Sequence, residues 1–100
     1  MAPLIWSPRS LADLEIIYDY IRQDSRENAR NFVNELIRTV IKIPDFPLAG
    51  RMVPEFKDRQ TREKMYKRYR IIYRLQEESI EIITILHQAR RLNKQALKDI

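Results

Sequence analysis

The chain has 100 residues, 44% hydrophobic and 33% charged, and 19 Lys and Arg against 14 Asp and Glu give it a formal net charge of +5. These are the proportions of a folded domain with one modest core, not of a disordered segment. Without cysteine there are no disulfides or thiolate metal sites, and a lone histidine, His87, excludes a His-rich metal centre.

No apolar run approaches the roughly 20 residues that span a bilayer. The N-terminus, MAPLIWSPRS, has neither the charged start nor the long apolar core of a signal peptide. The expectation is one cytoplasmic domain over residues 1–100, with no metal, no cofactor and no membrane partner. The charge is uneven. Residues 1–56 carry seven Lys and Arg against eight Asp and Glu, whereas residues 57–100 carry twelve against six. A basic half of this kind attracts an anionic partner, nucleic acid or acidic protein, although a merely solvated basic surface has the same composition.

Leu4-Ile5-Trp6 reads as a short first strand. Ser7 then offers an N-cap and Pro8 the first helical position, where a missing N–H costs nothing. Leu11, Leu14, Ile17, Tyr18 and Ile21 form one apolar stripe at helical spacing. That helix stops near Gln23-Asp24-Ser25, and either Asp24 with Glu27 or Ser25 alone caps the next. A second helix is expected from Arg26 to Ile43, because Ala29, Phe32, Val33, Leu36, Ile37, Val40 and Ile41 keep the pattern until Pro44. So short a connection folds the two helices back as an antiparallel pair.

Arg51–Phe56 and a polar loop, Lys57–Thr61, precede a predicted strand at Arg62–Tyr66. Tyr69–Leu75 and Ile80–His87 are rich in β-branched and aromatic residues and form a hairpin across Gln76-Glu77-Glu78-Ser79. In its first arm Tyr69, Ile71, Tyr73 and Leu75 share one face, with Arg70, Ile72 and Arg74 on the other. The second arm is apolar nearly throughout, as an inner strand covered on both sides would be. From Gln88 onward a short helix or frayed tail is expected. The sum is a two-layer α+β domain, β-α-α-β-β-β, with a helical hairpin packed on a small antiparallel sheet.

This order, with SLADLEIIYDYI, IPDFPLAGR, VPEF, REKMYKRYRIIYR and IEIITILHQAR in sequence, resembles the RelE/ParE family of bacterial toxins over roughly residues 3–93. In that likeness VPEF and the two segments after it stand for the three later strands. The resemblance implies the toxin of a type II toxin–antitoxin pair. Its cognate antitoxin would lay an amphipathic, acidic segment over the toxin, covering Arg70 and Arg90. It also implies one of two targets: DNA gyrase, poisoned by binding as in ParE-like members, or mRNA on the ribosome, cut as in RelE-like members.

RNA cleavage by 2′-hydroxyl attack needs a base, cations for the phosphorane and an acid for the leaving oxygen. Arg70 and Arg90 match phosphate-binding positions of the ribonuclease branch, and Glu55 matches a carboxylate base. Arg62 and Lys64 could extend the cradle, and His87 is the one residue of the type whose unperturbed side chain suits proton transfer near neutrality. Lys67, Arg68, Arg91 and Lys94 complete a basic surface for nucleic acid or target. After His87 there is no tyrosine and no second histidine, residues that several ribonuclease members use there. Arginine cannot supply the missing proton. Ordinary roles are also open: packing for His87, a solvent-side face for Arg70 and Arg74, an ion pair for Glu55, and core for Trp6, Tyr18, Tyr69 and Tyr73. The incomplete acid–base set favours the gyrase-binding branch. A basic nucleic-acid-binding domain without toxicity is the remaining reading.

Overall fold

The structure, a computed structural model, describes residues 2–90. Most of the tail, expected to be a short helix or frayed, lies outside those residues, and Arg91 and Lys94 with it. Strand β1 (Leu4–Trp6) leads into helices α1 (Pro8–Arg22) and α2 (Arg26–Ile41). Strands β2 (Arg51–Met52), β3 (Thr61–Tyr66), β4 (Tyr69–Leu75) and β5 (Ile80–His87) follow. The architecture is α+β, a helical hairpin on a five-stranded sheet ordered β1-β5-β4-β3-β2. The β4–β5 hairpin therefore occupies the middle, as its composition predicts.

Both helix starts follow their capping residues. Ser7 Oγ accepts from the Ser10 N–H at 3.0 Å, and Ser25 Oγ accepts from the Asn28 N–H at 3.1 Å. Of the two caps open to α2, Ser25 is the one used. The second helix ends at Ile41 rather than Ile43, and Ile43–Asp45 tightens into a 3₁₀ turn. Pro44 disfavours the α-conformation in the residue before it and cannot donate, so the α-helix closes early.

Two expectations about the sheet are corrected. The sheet is mixed rather than wholly antiparallel, because β1 runs parallel to β5, with Leu4 opposite Ile80 and Trp6 opposite Ile82. VPEF is not a strand: pairing stops at Met52, opposite Arg62, and Pro54–Phe56 form a turn. Pro54 has no N–H to give a ladder. Both faces of the sheet carry a core, as the apolar make-up of the Ile80–His87 arm predicts. On the helix side Ile17, Leu36, Val40, Ile71, Tyr73, Ile82 and Ile85 make the main core, with Trp6, Leu14, Phe32 and Tyr69 packed against it. On the far side Val53, Ile72, Ile83 and Leu86 make a second, smaller core with Phe56.

A β-bulge explains how one strand feeds both cores. Ile72 stands opposite Thr84 and Tyr73 opposite Ile82, which leaves Ile83 as the extra residue on β5. The inserted residue shifts the alternation by one, so Ile80, Ile82 and Ile85 face the helices while Ile83 and Leu86 face away. Beyond Trp6 the chain leaves the β5 edge, and side chains take over its pairing. Ser7 Oγ donates to the Ile83 carbonyl at 2.7 Å, and Asp13 Oδ2 accepts from the Ile85 N–H at 2.9 Å and the Thr84 hydroxyl at 2.5 Å. These bonds also fasten the start of α1 to the sheet. Leu11, assigned to the buried stripe from its spacing, is 52% exposed, and Ile16 and Tyr20 of the same helix are 66% and 72% exposed.

Candidate functional site

Strand alternation decides which charged side chains meet. On the far side of the sheet, Arg51 is opposite Glu63 in the β2–β3 pair, and Met65 is opposite Arg70 in the β3–β4 pair. The turn after β2 brings Glu55 to the same place. Arg70 is not on a solvent-side face, as the sequence suggested; it is 5% exposed. Its Nη1 and Nη2 donate to the two oxygens of Glu55 at 2.9 and 2.8 Å. Its Nε and Nη2 donate to Glu63 Oε1 at 3.0 and 2.6 Å, and Nη1 reaches the Arg90 carbonyl at 3.1 Å. Glu63, with no exposed side-chain surface, also accepts from Arg51 at 2.7 Å. The Glu55 hydrogen bonds, and behind them those of Glu63, push the Arg70 pKa further up, although burial alone would lower it.

In this cluster two guanidinium groups meet two carboxylates, which leaves it electrically balanced. It forms the floor of an open cleft of about 750 Å³ that Arg51, Glu55, Met65, Gln88 and Arg90 also line. Buried arginine paired this way is held by charge-assisted, bidentate geometry, and separating it would leave uncompensated buried charge.

The other candidate residues are dispersed. His87 sits at the end of β5, half-buried and edge-to-face with Tyr69 at 5.6 Å, and its Nδ1 accepts from the Ala89 N–H at 3.2 Å. It lines a different groove from the one that holds Glu55 and Arg70, and among the described residues only Arg90 borders both. Arg62 and Lys64 fall on the helix side, opposite Tyr73 and Ile71, and so do not extend the Arg70 cluster. Arg62 instead donates to the carbonyls of Arg59, Leu48 and Gly50. Lys67 and Arg68 form the exposed β3–β4 turn. Lys67 has a positive φ of 51°, and its ammonium lies 5.5 Å from the Phe32 ring centre and 5.6 Å from that of Tyr66.

That second groove, of about 600 Å³, lies between α1 and the ends of β4 and β5. Ile16, Tyr20, Phe32, Tyr69 and Ile85 give it an apolar wall, and Lys67, Arg68 and Arg90 add positive charge, with Asp13 the acid that borders it. It is the seam between hairpin and sheet. Sequence reasoning does not single out Glu63 and Arg51 as site residues. The available signal is a lone glutamate inside the basic strand TREKMY, two residues before the position opposite Arg70.

Fold and clefts together describe a small toxin-like domain, and the chain belongs to the ParE toxin family of type II toxin–antitoxin (parDE) systems, whose profile matches residues 4–92. Among solved structures it is similar to the chromosomal ParDE toxin–antitoxin system of P. aeruginosa, at 23% identity and a TM-score of 0.74, covering 87% of this chain and 96% of that one. A YoeB dimer from Staphylococcus aureus matches at 14% identity and a TM-score of 0.55, covering 86% and 95%. The YoeB–YefM complex from the same organism matches at 14% and 0.53, covering 87% and 97%. No curated protein sequence matches the chain. Among the described residues no helix is long and apolar enough to cross a membrane.

Proposed function

We propose that this toxin arrests growth by binding DNA gyrase, in the manner of the ParE-like branch, and that it does not cleave RNA. The observation that carries this reading is the saturation of Arg70. The residue expected to hold phosphate spends its guanidinium on Glu55, Glu63 and the Arg90 carbonyl, and the residue expected to act as base is one of those partners. A phosphorane needs net positive charge close by, and this cluster offers a balanced one. His87, the remaining proton carrier, faces another groove. Poisoning by binding asks for none of this chemistry.

The RNA-cleaving alternative keeps one observation in its favour: Glu55, Arg70 and Arg90 do border a single open cleft. The two readings separate in vitro. Purified toxin is expected to inhibit supercoiling by reconstituted gyrase and to leave mRNA intact in a purified translation system. Ribosome-dependent cleavage with unaffected supercoiling would reverse the assignment.

The antitoxin is the second partner. The α1–β5 groove fits an amphipathic segment, its apolar wall taking the greasy face and Lys67, Arg68 and Arg90 drawing an acidic one. Arg70, already neutralised within the fold, is not among the charges such a segment would cover.

A further inference from the structure

The loop from α2 to β2 is fixed through its backbone and by the buried Ile43, and it leaves Phe46 and Leu48 bare. The buried Tyr73 hydroxyl donates to the Pro47 carbonyl at 2.7 Å. Arg62 Nη1 donates to the carbonyls of Leu48 and Gly50 at 3.3 and 3.0 Å. Within the loop the Phe46 N–H reaches Ile43 and the Ala49 N–H reaches Phe46, at 3.1 and 3.0 Å. Gly50 lies so close to the sheet that a Cβ there would overlap the Tyr73 hydroxyl and stand 2.7 Å from the Glu63 carbonyl. Yet Phe46 is 75% exposed and Leu48 66%, with Ile41 at the end of α2 57% exposed. A loop stiffened for its own stability would bury such side chains. This one holds its main chain still and presents them outward.

A pre-ordered loop loses little freedom on binding, and a rigid aromatic anchor is the usual centre of a protein interface. The surroundings say what it would meet. Lys42 and Lys64 border the same small cavity as Phe46, against one carboxylate, Asp45. A second copy of the chain docking here would bring these lysines face to face in a self-complementary contact, which like charges oppose. Nucleic acid is disfavoured because Leu48 and Ile41 cannot stack on bases and Arg62 is committed to carbonyl oxygens. An apolar pocket on a protein, bordered by carboxylates, satisfies both the side chains and the charge.

We infer that Phe46 and Leu48 are the anchors by which this toxin engages its protein target, in an apolar pocket with an acidic border. The identity of that target rests on the gyrase reading above. The loop contributes no residue to the α1–β5 groove, so target and antitoxin are recognised on separate faces.

The test uses purified toxin and reconstituted gyrase holoenzyme, with binding followed by surface plasmon resonance at two salt concentrations. Both anchors are exposed, so the Phe46→Ser/Leu48→Ser variant should fold, as its thermal melt would confirm. Its affinity for gyrase is expected to fall at least about 30-fold, as for loss of interface hot spots, with antitoxin affinity unchanged. Lys42→Glu/Lys64→Glu should slow association and flatten its salt dependence. A Ser/Ser variant that binds gyrase like the wild type overturns the inference alone. A wild type that does not bind gyrase sinks the gyrase reading and this occupant with it. If the wild type self-associates and the Ser/Ser variant is monomeric, the face belongs to a second copy and the inference is also overturned.

Discussion

Arg70 Nη2 lies 2.6 Å from Glu63 Oε1 across the β3–β4 pair, with the two side chains 7% and 0% exposed. Each arm of that contact has a further partner, Glu55 for Arg70 and Arg51 for Glu63. Removing Glu63 would leave a nearly buried guanidinium with one carboxylate, so Glu63→Ala should cost about 3–5 kcal/mol. Against a total stability of about 5–15 kcal/mol that is a large fraction. Denaturant unfolding measures it, and a loss below about 1 kcal/mol would show that the cluster does not hold the sheet together.

The same cluster yields a prediction about activity. If the toxin acts by binding, Glu55→Gln and His87→Asn should each leave growth arrest and gyrase inhibition within a few-fold of the wild type. A proton-transfer role for either residue would instead show as a loss of about 10²–10⁴ in rate. The amide introduced by Glu55→Gln still offers Arg70 one acceptor oxygen, so that variant should fold well enough for the comparison to be fair. Soluble yield and melting temperature provide that control.

How much of this could be read beforehand depends on the range of the interaction. Periodicity and caps point to the helical hairpin and the central β4–β5 pair, since Ser7, Ser25 and the apolar spacing act within a few residues. The unbroken apolar run of β5 points to cover on both faces, but which residues reach which core depends on the bulge at Ile83, and a one-residue insertion in such a run leaves no mark on composition. Alternation puts Arg70 on the correct face, but that face is covered by the turn carrying Glu55 and by Glu63, partners set by cross-strand register. Likewise nothing local reveals that Asp13 completes the edge of β5, 72 residues away. Register and long-range closure decide such contacts, and a single sequence does not state them.

Ser7 and Ser25 provide an internal comparison of caps. Both accept from a helix N–H, but Ser7 is 1% exposed and also donates to Ile83 in the bulge. Ser25→Ala should cost about 1 kcal/mol, as loss of a cap usually does. Ser7→Ala should cost roughly 1–3 kcal/mol more, because the Ile83 carbonyl is then left without that donor in the interior. Equal losses, measured by thermal or denaturant unfolding, would mean that the Ile83 bond adds nothing.

Alkaline titration tests the electrostatics around the β3–β4 turn. Burial, then the hydrogen bond to Glu35 at 2.8 Å and the charge of that carboxylate, push Tyr66 up from 10.0 to about 12. Burial also raises Tyr69 and Tyr73. The unfolded chain loses the Tyr66 proton near pH 10, whereas the folded chain keeps it to about 12. The contribution of Tyr66 is thus fully present below pH 10 and disappears as pH rises from about 10 to about 12. Tyrosine-resolved NMR titration should find Tyr66 ionising late, and Glu35→Gln should bring it back toward 10.

The groove beside α1 makes the last prediction, about the antitoxin. Ile16 and Tyr20 are four residues apart on one helix face and largely exposed, so their replacement removes wall without removing core. Ile16→Ser/Tyr20→Ser should leave the melting temperature nearly unchanged and weaken antitoxin binding tenfold or more, about 1.4 kcal/mol or above. Lys67→Glu/Arg90→Glu should weaken it too, mainly at low salt, where opposite charges steer association most. Arg70→Glu is a different experiment, since it places a third carboxylate beside Glu55 and Glu63 and should unfold the sheet. Titration calorimetry at two salt concentrations distinguishes these effects. Wild-type affinity in both double variants would show that the antitoxin does not lie in this groove.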